Sequence, residues 1–290
     1  MSSIAYITDS KLLENHRLYQ NKTMNFWRLS TNTNFTDFGI GSLVFFLSKD
    51  KEHLSSKREK GIVGFGRLVN LYVGTPRLMW DRFKQKNGYN TYEEFIIALS
   101  RANRDHELPE KLSSLYLENV CFFQSPIYLS ELGINISKNV ESYVYIKPDE
   151  AVLKILEYGR SSQDLWSSSN KHEQIIAEEE LGVILSLANR KAGGDIKFTG
   201  TKLNKALDDV QAYIKRYPIY QRILGSKFNM YYIYEDILTI VFYHNIEIDI
   251  NDIVKTALIY KEYINENYPH NISLLFKTTD NNSEFSELVI

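Results

Sequence analysis

In Lys60-Gly61-Ile62-Val63-Gly64-Phe65-Gly66-Arg67-Leu68-Val69, branched and aromatic residues are interleaved with three glycines. A dinucleotide-binding loop needs its third glycine in register and a helix directly after it, and this stretch has neither. It therefore reads as a strand. Glycine inside a strand marks a bulge or a close backbone approach, as at the bend of a small barrel. Working outward, runs of similar length and texture occur at Phe26–Leu29, Ser42–Leu47, Val120–Phe123 and Ser142–Ile146. Each is bounded by Gly, Asn, Ser or Asp, the residues that punctuate strands. Five such strands suffice for a small barrel.

Helical signals interrupt these strands. Thr91 followed by Glu94 forms a capping box leading into Phe95, Ile96 and Leu99. Pro148-Asp149-Glu150 opens a second helix with proline in the first turn and acids at the positive end of the helix dipole, ahead of Val152, Leu153, Ile155 and Leu156. The stretch 160–171, RSSQDLWSSSNK, holds five serines in twelve residues and is the best linker in the chain. It separates a domain of residues 1–160 from one of residues 161–290. The second domain reads as mainly helical, with helices expected over His172–Arg190, Leu203–Arg216, Phe228–Tyr243 and Asp249–Asn267, and a last strand over Ile272–Lys277. The expected fold class is α+β.

With 290 residues, 43% hydrophobic and 24% charged, the chain is long enough to bury a real core and needs neither disorder nor a membrane to explain it. No stretch approaches the ~18 apolar residues of a membrane span, and the N-terminus has no leader pattern, so a cytoplasmic location is expected. A lone cysteine, Cys121 in an apolar run, excludes an internal disulfide and reads as a buried thiol. The unusual feature is aromatic content: 20 Tyr, 15 Phe and 3 Trp. Rings fill cores, and they also stack on planar ligands.

The net charge of −2 divides unevenly. Residues 1–160 carry 21 of the 34 Lys+Arg and 18 of the 36 Asp+Glu, a net of +3, which leaves −5 for the rest. The basic residues concentrate at Lys57, Arg58 and Lys60, then at Arg77, Arg82, Lys84 and Lys86, where a polyanion would land.

The strand with an aromatic pair (Phe26-Trp27), the Gly41–Phe46 strand, the Lys60–Gly66 strand and the aromatic, acidic segment Tyr72–Asp81 together resemble the PUA-like superfamily. Within it they resemble the EVE domain, a relative of the YTH, ASCH and SRA-type base readers. Leu117–Val120 and Tyr143–Glu150 extend the resemblance over roughly residues 24–158. It implies an N-terminal PUA-like β-barrel with flanking helices, whose aromatic pocket accepts a flipped and modified base. The wall residues it suggests are Trp27 on the first strand, Trp80 in the loop after the third, and Tyr72. Ser30, Thr31 and Asn32 would meet the base edge and Asp81 an exocyclic amine. Lys57, Arg58, Lys60, Arg77, Arg82 and Lys84 would hold the backbone. The stretch Val73–Ser113 is a departure from the family, being longer and more charged.

The expected partner is nucleic acid, DNA with a modified base, in a bacterial restriction or defence setting. A protein partner or homodimer would use the helical domain. Two alternatives stay open. One is a nuclease subunit holding Mg²⁺ near Asp195 and Lys197, the one acid-x-Lys spelling downstream of Glu178-Glu179-Glu180, although three acids on a helix usually form a solvated face. The other is an RNA-binding module. No cofactor is expected otherwise, because the six scattered His residues show no zinc spacing.

Overall fold

A computed structural model describes residues 2–32, 34–49, 60–103, 105–134, 142–147, 149–161, 170–245, 248–269, 271–279 and 285–288. The chain divides into two compact units, Met1–Ala177 and Glu178–Ile290, a division later than the expected one after residue 160. Most of the expected linker lies outside the described residues.

The first unit is built on β1 (Ser3–Ile7), α1 (Ser10–Leu18), β2 (Met24–Arg28), β3 (Leu43–Lys49), β4 (Lys60–Gly74), α2 (Pro76–Phe83), α3 (Tyr92–Ala102), β5 (Leu112–Tyr128), β6 (Tyr143–Ile146) and α4 (Asp149–Ser161). Its sheet runs β2-β5-β4-β3-β1-β6, with β1 and β3 parallel and every other pair antiparallel. Among the described residues no ladder joins β2 to β6, so the expected closed barrel is an open, bent sheet.

The bend follows from the glycines and from three register shifts in the β4–β5 ladder, at Ile62–Gly64, Phe65–Arg67 and Leu68–Asn70. Phe65 and Arg67 of β4 face Cys121 and Glu118 of β5, so three steps on β5 oppose two on β4. Asn119 takes the extra place with φ +50, a left-handed conformation that asparagine tolerates better than most residues. Gly64 and Gly66 flank this bulge on the facing strand. A Cβ on Gly64 would overlap the Cys121 carbonyl oxygen, and one on Gly66 would lie 3.0 Å from Leu117 Cβ. Cys121 itself is buried, as its apolar neighbours suggest.

Two apolar clusters sit on the sheet. Ile4, Leu12, Met24, Phe26, Val44, Phe46, Leu68 and Leu117 form one; Met79, Trp80, Phe83, Tyr89, Phe95 and Leu99 form the other, under α2 and α3. The segment read as a loop around Trp80 is thus a helix. Thr75 caps it by accepting from the Leu78 N–H, and Pro76 supplies a preset φ in its first turn.

The second unit contains α5 (Asn170–Lys191, which begins in the first unit), α6 (Gly200–Arg216), α7 (Ile250–Asn267) and a five-stranded sheet. Its strands are β7 (Gln221–Arg222), β8 (Met230–Tyr234), β9 (Ile237–Phe242), β10 (Ser273–Thr279) and β11 (Phe285–Glu287), in the order β11-β10-β9-β8-β7. The expected helix over Phe228–Tyr243 is instead the β8–β9 hairpin. A run that is apolar all round carries no helical period. Glu235 and Asp236, both at positive φ, form the two-residue turn that divides it. Three expected helices and the last strand do form.

Gly64→Ala should cost about 2 kcal/mol, because the overlap it creates is with a strand backbone that cannot step aside. Urea unfolding midpoints, compared with a Gly74→Ala control whose Cβ meets only Leu78 at 3.6 Å, check this.

Candidate nucleic-acid interface

The turn after α2 brings basic and aromatic side chains together. One depression of about 540 Å³ is lined by Asn21, Tyr72, Arg82, Phe83, Lys84, Gln85, Lys86 and Tyr116. Phe83 is the buried floor: its ring lies 5.4 Å from Tyr116 at 23°, and Tyr72 meets it edge-on at 5.0 Å. Arg82 lies 4.2 Å from the Tyr72 ring centre and donates to the Tyr72 hydroxyl at 3.2 Å. Lys86 mirrors it on Tyr116, donating to that hydroxyl at 2.8 Å with Nζ 5.2 Å from the ring centre. Both cations are exposed, so their interactions with the phenols are weakly held.

A buried polar layer fixes the turn that carries Lys84 and Lys86. Asn87 is fully buried, donates to the Met79 and Lys84 carbonyls and accepts from Asn25 at 2.8 Å. Gly88 follows at φ +86, where a Cβ would meet Leu12 Cγ at 2.7 Å, and its carbonyl accepts from Asn15 at 2.5 Å. His16 lies beneath the same turn with no exposed surface, its Nδ1 3.1 Å from Asn21 Nδ2. Among the described residues nothing at hydrogen-bonding geometry meets its Nε2. Burial lowers its pKa to about 4, and the nearby Lys86 main chain offsets only part of that.

The expected site residues do not all meet. Tyr72, Arg82 and Lys84 line this depression. Asp81 is beside it on α2, bridged to Arg77 at 3.1 Å and Lys84 at 3.3 Å. Desolvation acts to raise its pKa, but the hydrogen bonds from Lys84 and Arg77 outweigh this and lower it. Arg77 also covers Tyr92 at 4.9 Å. Trp80 is 8% exposed, stacked on Phe95 at 5.8 Å and 28°. Trp27 is half-buried between the two clusters, donating to the Asn87 carbonyl at 3.3 Å and meeting Phe95 edge-on. Ser30, Thr31 and Asn32 form an exposed turn: Ser30 Oγ accepts from the Asn32 N–H, and Asn32 Oδ1 from the Asn34 N–H. Lys60 begins β4, while Lys57 and Arg58 lie outside the described residues.

Phe83, Tyr116 and Asn21 do not stand out as site residues in the sequence, whereas Lys86 belongs to the basic concentration expected to meet a polyanion. Tyr116 lies before the Val120 start expected for its strand, which in fact begins at Leu112.

In the second unit, the Asp195 carboxylate accepts from Ser226 Oγ and the Lys227 N–H, and Lys197 is exposed. Glu178 is exposed, but Glu179 and Glu180 are 1% and 3% exposed and engaged by neighbours, so two of the three acids do not lie on a solvated face. Among the described residues no group of three His, Cys, Asp or Glu is placed to hold a metal ion. Nor is any described helix long and apolar enough to cross a membrane.

The chain is similar to the crystal structure of ASCH from Zymomonas mobilis, at 13% identity and a TM-score of 0.37, over 53% of this chain and 94% of that one. A single-substitution variant of the same protein gives 14% identity and a TM-score of 0.37, over 54% and 98% of the two chains. No protein-family model and no curated protein matches the sequence.

The buried His16 sets a pH dependence. Its folded pKa lies below the unfolded value of 6.5, so the unfolded chain takes up a proton first as pH falls. The neutral ring's contribution is complete above about pH 6.5 and is lost progressively toward pH 4, on the order of 3 kcal/mol in all. Urea unfolding of the parent and His16→Gln at pH 7 and pH 4.5 should show the stability gap between them narrowing on acidification.

Proposed function

We propose that the Met1–Ala177 unit binds nucleic acid at the depression between Tyr72 and Tyr116, with one base stacked there and the adjoining phosphates held by Arg82, Lys84 and Lys86. The observation that carries this reading is the convergence of three rings and three cations on one open concavity. Every base has a π-face, and a stack on an aromatic side chain contributes ~1 to 3 kcal/mol. Exposed cations resting on phenol rings are exchangeable partners. An arriving phosphate offers them charge-assisted bonds, which are stronger than those to a neutral hydroxyl. The net charge of +3 on residues 1–160 fits a polyanion better than the −5 of the remainder.

A PUA-like domain reading one flipped, modified base is the finer form of this proposal. It rests on the ordered strand resemblance and on Tyr72 belonging both to that pattern and to the depression. A flipped base loses a few kcal/mol of stacking and pairing, which one aromatic stack restores in part. Single-stranded sites and lesions that are already unstacked are therefore the favoured substrates.

Fluorescence anisotropy with single-stranded DNA, duplex DNA and RNA, each with and without modified bases, tests the proposal. Tyr72→Ala with Tyr116→Ala should weaken binding roughly tenfold and leave the salt dependence unchanged. Arg82→Ala with Lys86→Ala should weaken it and also flatten the plot of log affinity against log salt, by ~0.7 for each phosphate left without its cation on a single strand. Parent-like affinity in both double variants would overturn the reading.

A further inference from the structure

Alternation along β2 sends Asn25 and Trp27 toward the α2–α3 cluster and Phe26 and Arg28 to the other face, where Phe26 meets Tyr6 and Phe46. Arg28 is 5% exposed. Its Nε donates to Ser113 Oγ at 3.1 Å and its Nη2 to the Asn32 carbonyl. Among the described residues nothing accepts from Nη1, and no carboxylate pairs with the guanidinium. Asp37, in the same loop region, is bridged to Lys147 at 2.8 Å. Aromatic side chains surround the charge: its Cζ lies 4.9 Å from the Phe35 ring centre and 5.8 Å from that of Tyr6. Tyr143 stacks on Tyr6 at 5.6 Å and 17° and meets Phe35 edge-on at 5.5 Å.

A guanidinium stays protonated at neutral pH even where burial lowers its pKa, as desolvation does here against the opposing influence of Tyr6 and Tyr143. The phenols are not counter-charges, because burial raises the pKa of both Tyr6 and Tyr143 and keeps them neutral. A buried cation braced only by a hydroxyl, a carbonyl and ring faces is electrostatically incomplete, since buried charges are normally paired.

We propose that Arg28 is the centre of a second site, one that takes an oxyanion of the phosphate class on its free Nη1 edge within the Tyr6, Phe35 and Tyr143 walls. The guanidinium fork matches phosphate geometry, and the surrounding rings lower the local polarity and strengthen the pairing. The site is distinct from the Tyr72–Tyr116 depression and does not depend on it. The phosphate comes either as a free ion or carried on a nucleotide or strand end.

Thermal unfolding of the full chain, with sodium phosphate replacing sodium chloride at constant ionic strength, tests this. A saturable rise in Tm of about 2 to 4 °C is expected for the parent, and its loss in Arg28→Gln. Arg82→Ala with Lys86→Ala should retain the rise, which separates this site from the proposed nucleic-acid face. Should Arg28→Gln not fold, arginine side-chain NMR of the parent and of Arg28→Lys gives a second reading, with one guanidinium signal shifting saturably in the parent, that signal absent from the variant, and no remaining arginine signal shifting saturably. Adenosine monophosphate and a 5′-phosphorylated oligonucleotide, set against its unphosphorylated twin, identify the source. An Arg28-dependent shift with any of these supports the site. No saturable shift with any phosphate, or one that survives in Arg28→Gln, overturns it.

Discussion

The close approach of β4 and β5 is the constraint on which the first unit depends. These strands, fifteen and seventeen residues long, pair from Gly61–Tyr128 to Gly74–Leu112. Strands this long cannot stay flat and still cover a compact core, so the pair must twist and bend. The ladder shifts register at three places, most between Ile62–Gly64 and Ile127–Phe122, and Gly64 and Gly66 leave room for the facing backbone beside the extruded Asn119. Because β2 pairs with one side of this ladder and β3 with the other, an error in its register would displace both apolar clusters at once.

The same ladder places the proposed binding face. Tyr72 stands near the end of β4 opposite Ser114, Tyr116 lies diagonally from it on β5 opposite Asn70, and the chain leaves β4 directly into α2. The cap at Thr75 and the buried Asn87 then fix where Arg82, Lys84 and Lys86 emerge. Holding a turn of exposed cations in place requires buried polar groups beneath it, and this costs stability wherever a partner is missing. Asn25 Oδ1 and His16 Nε2 are two such atoms. The layer is therefore better explained by positioning than by stability.

Much of this is legible in the sequence, and the misses have identifiable causes. Strands β2 to β6 announce themselves by composition and punctuation, and the glycines of β4 correctly imply a bulge. The openness of the sheet does not follow from strand count, because closure depends on whether the edges β2 and β6 meet. Strand β1 escapes notice because Ser3–Ile7 is mixed in composition and lacks a bounding run of branched or aromatic residues. Phe228–Tyr243 misleads because uniform apolarity erases the period that separates helix from strand. Among the proposed site residues, Arg82, Lys84 and Lys86 emerge from charge density and Tyr72 from the family resemblance. Density cannot tell a ring packed inward, such as Trp80, from one that lines a surface, because that depends on which face of α2 the sheet covers.

Arg28 shows the same limit from the opposite direction. In the sequence it is one basic residue between a tryptophan and a leucine, and strand alternation allows either face. On the face it takes, it is surrounded by rings from β1, β6 and the loop after β2, segments far apart along the chain. A charged residue in such a place is normally explained by a carboxylate brought in from the same distance. Asp37, carried by the same loop as Phe35, is paired to Lys147 and leaves the guanidinium's charge uncompensated. The two proposed sites therefore differ in kind. One offers exposed cations that exchange partners easily, suiting a long and variable polyanion, whereas the other holds a single fixed cation in low dielectric, where one compact anion gains most.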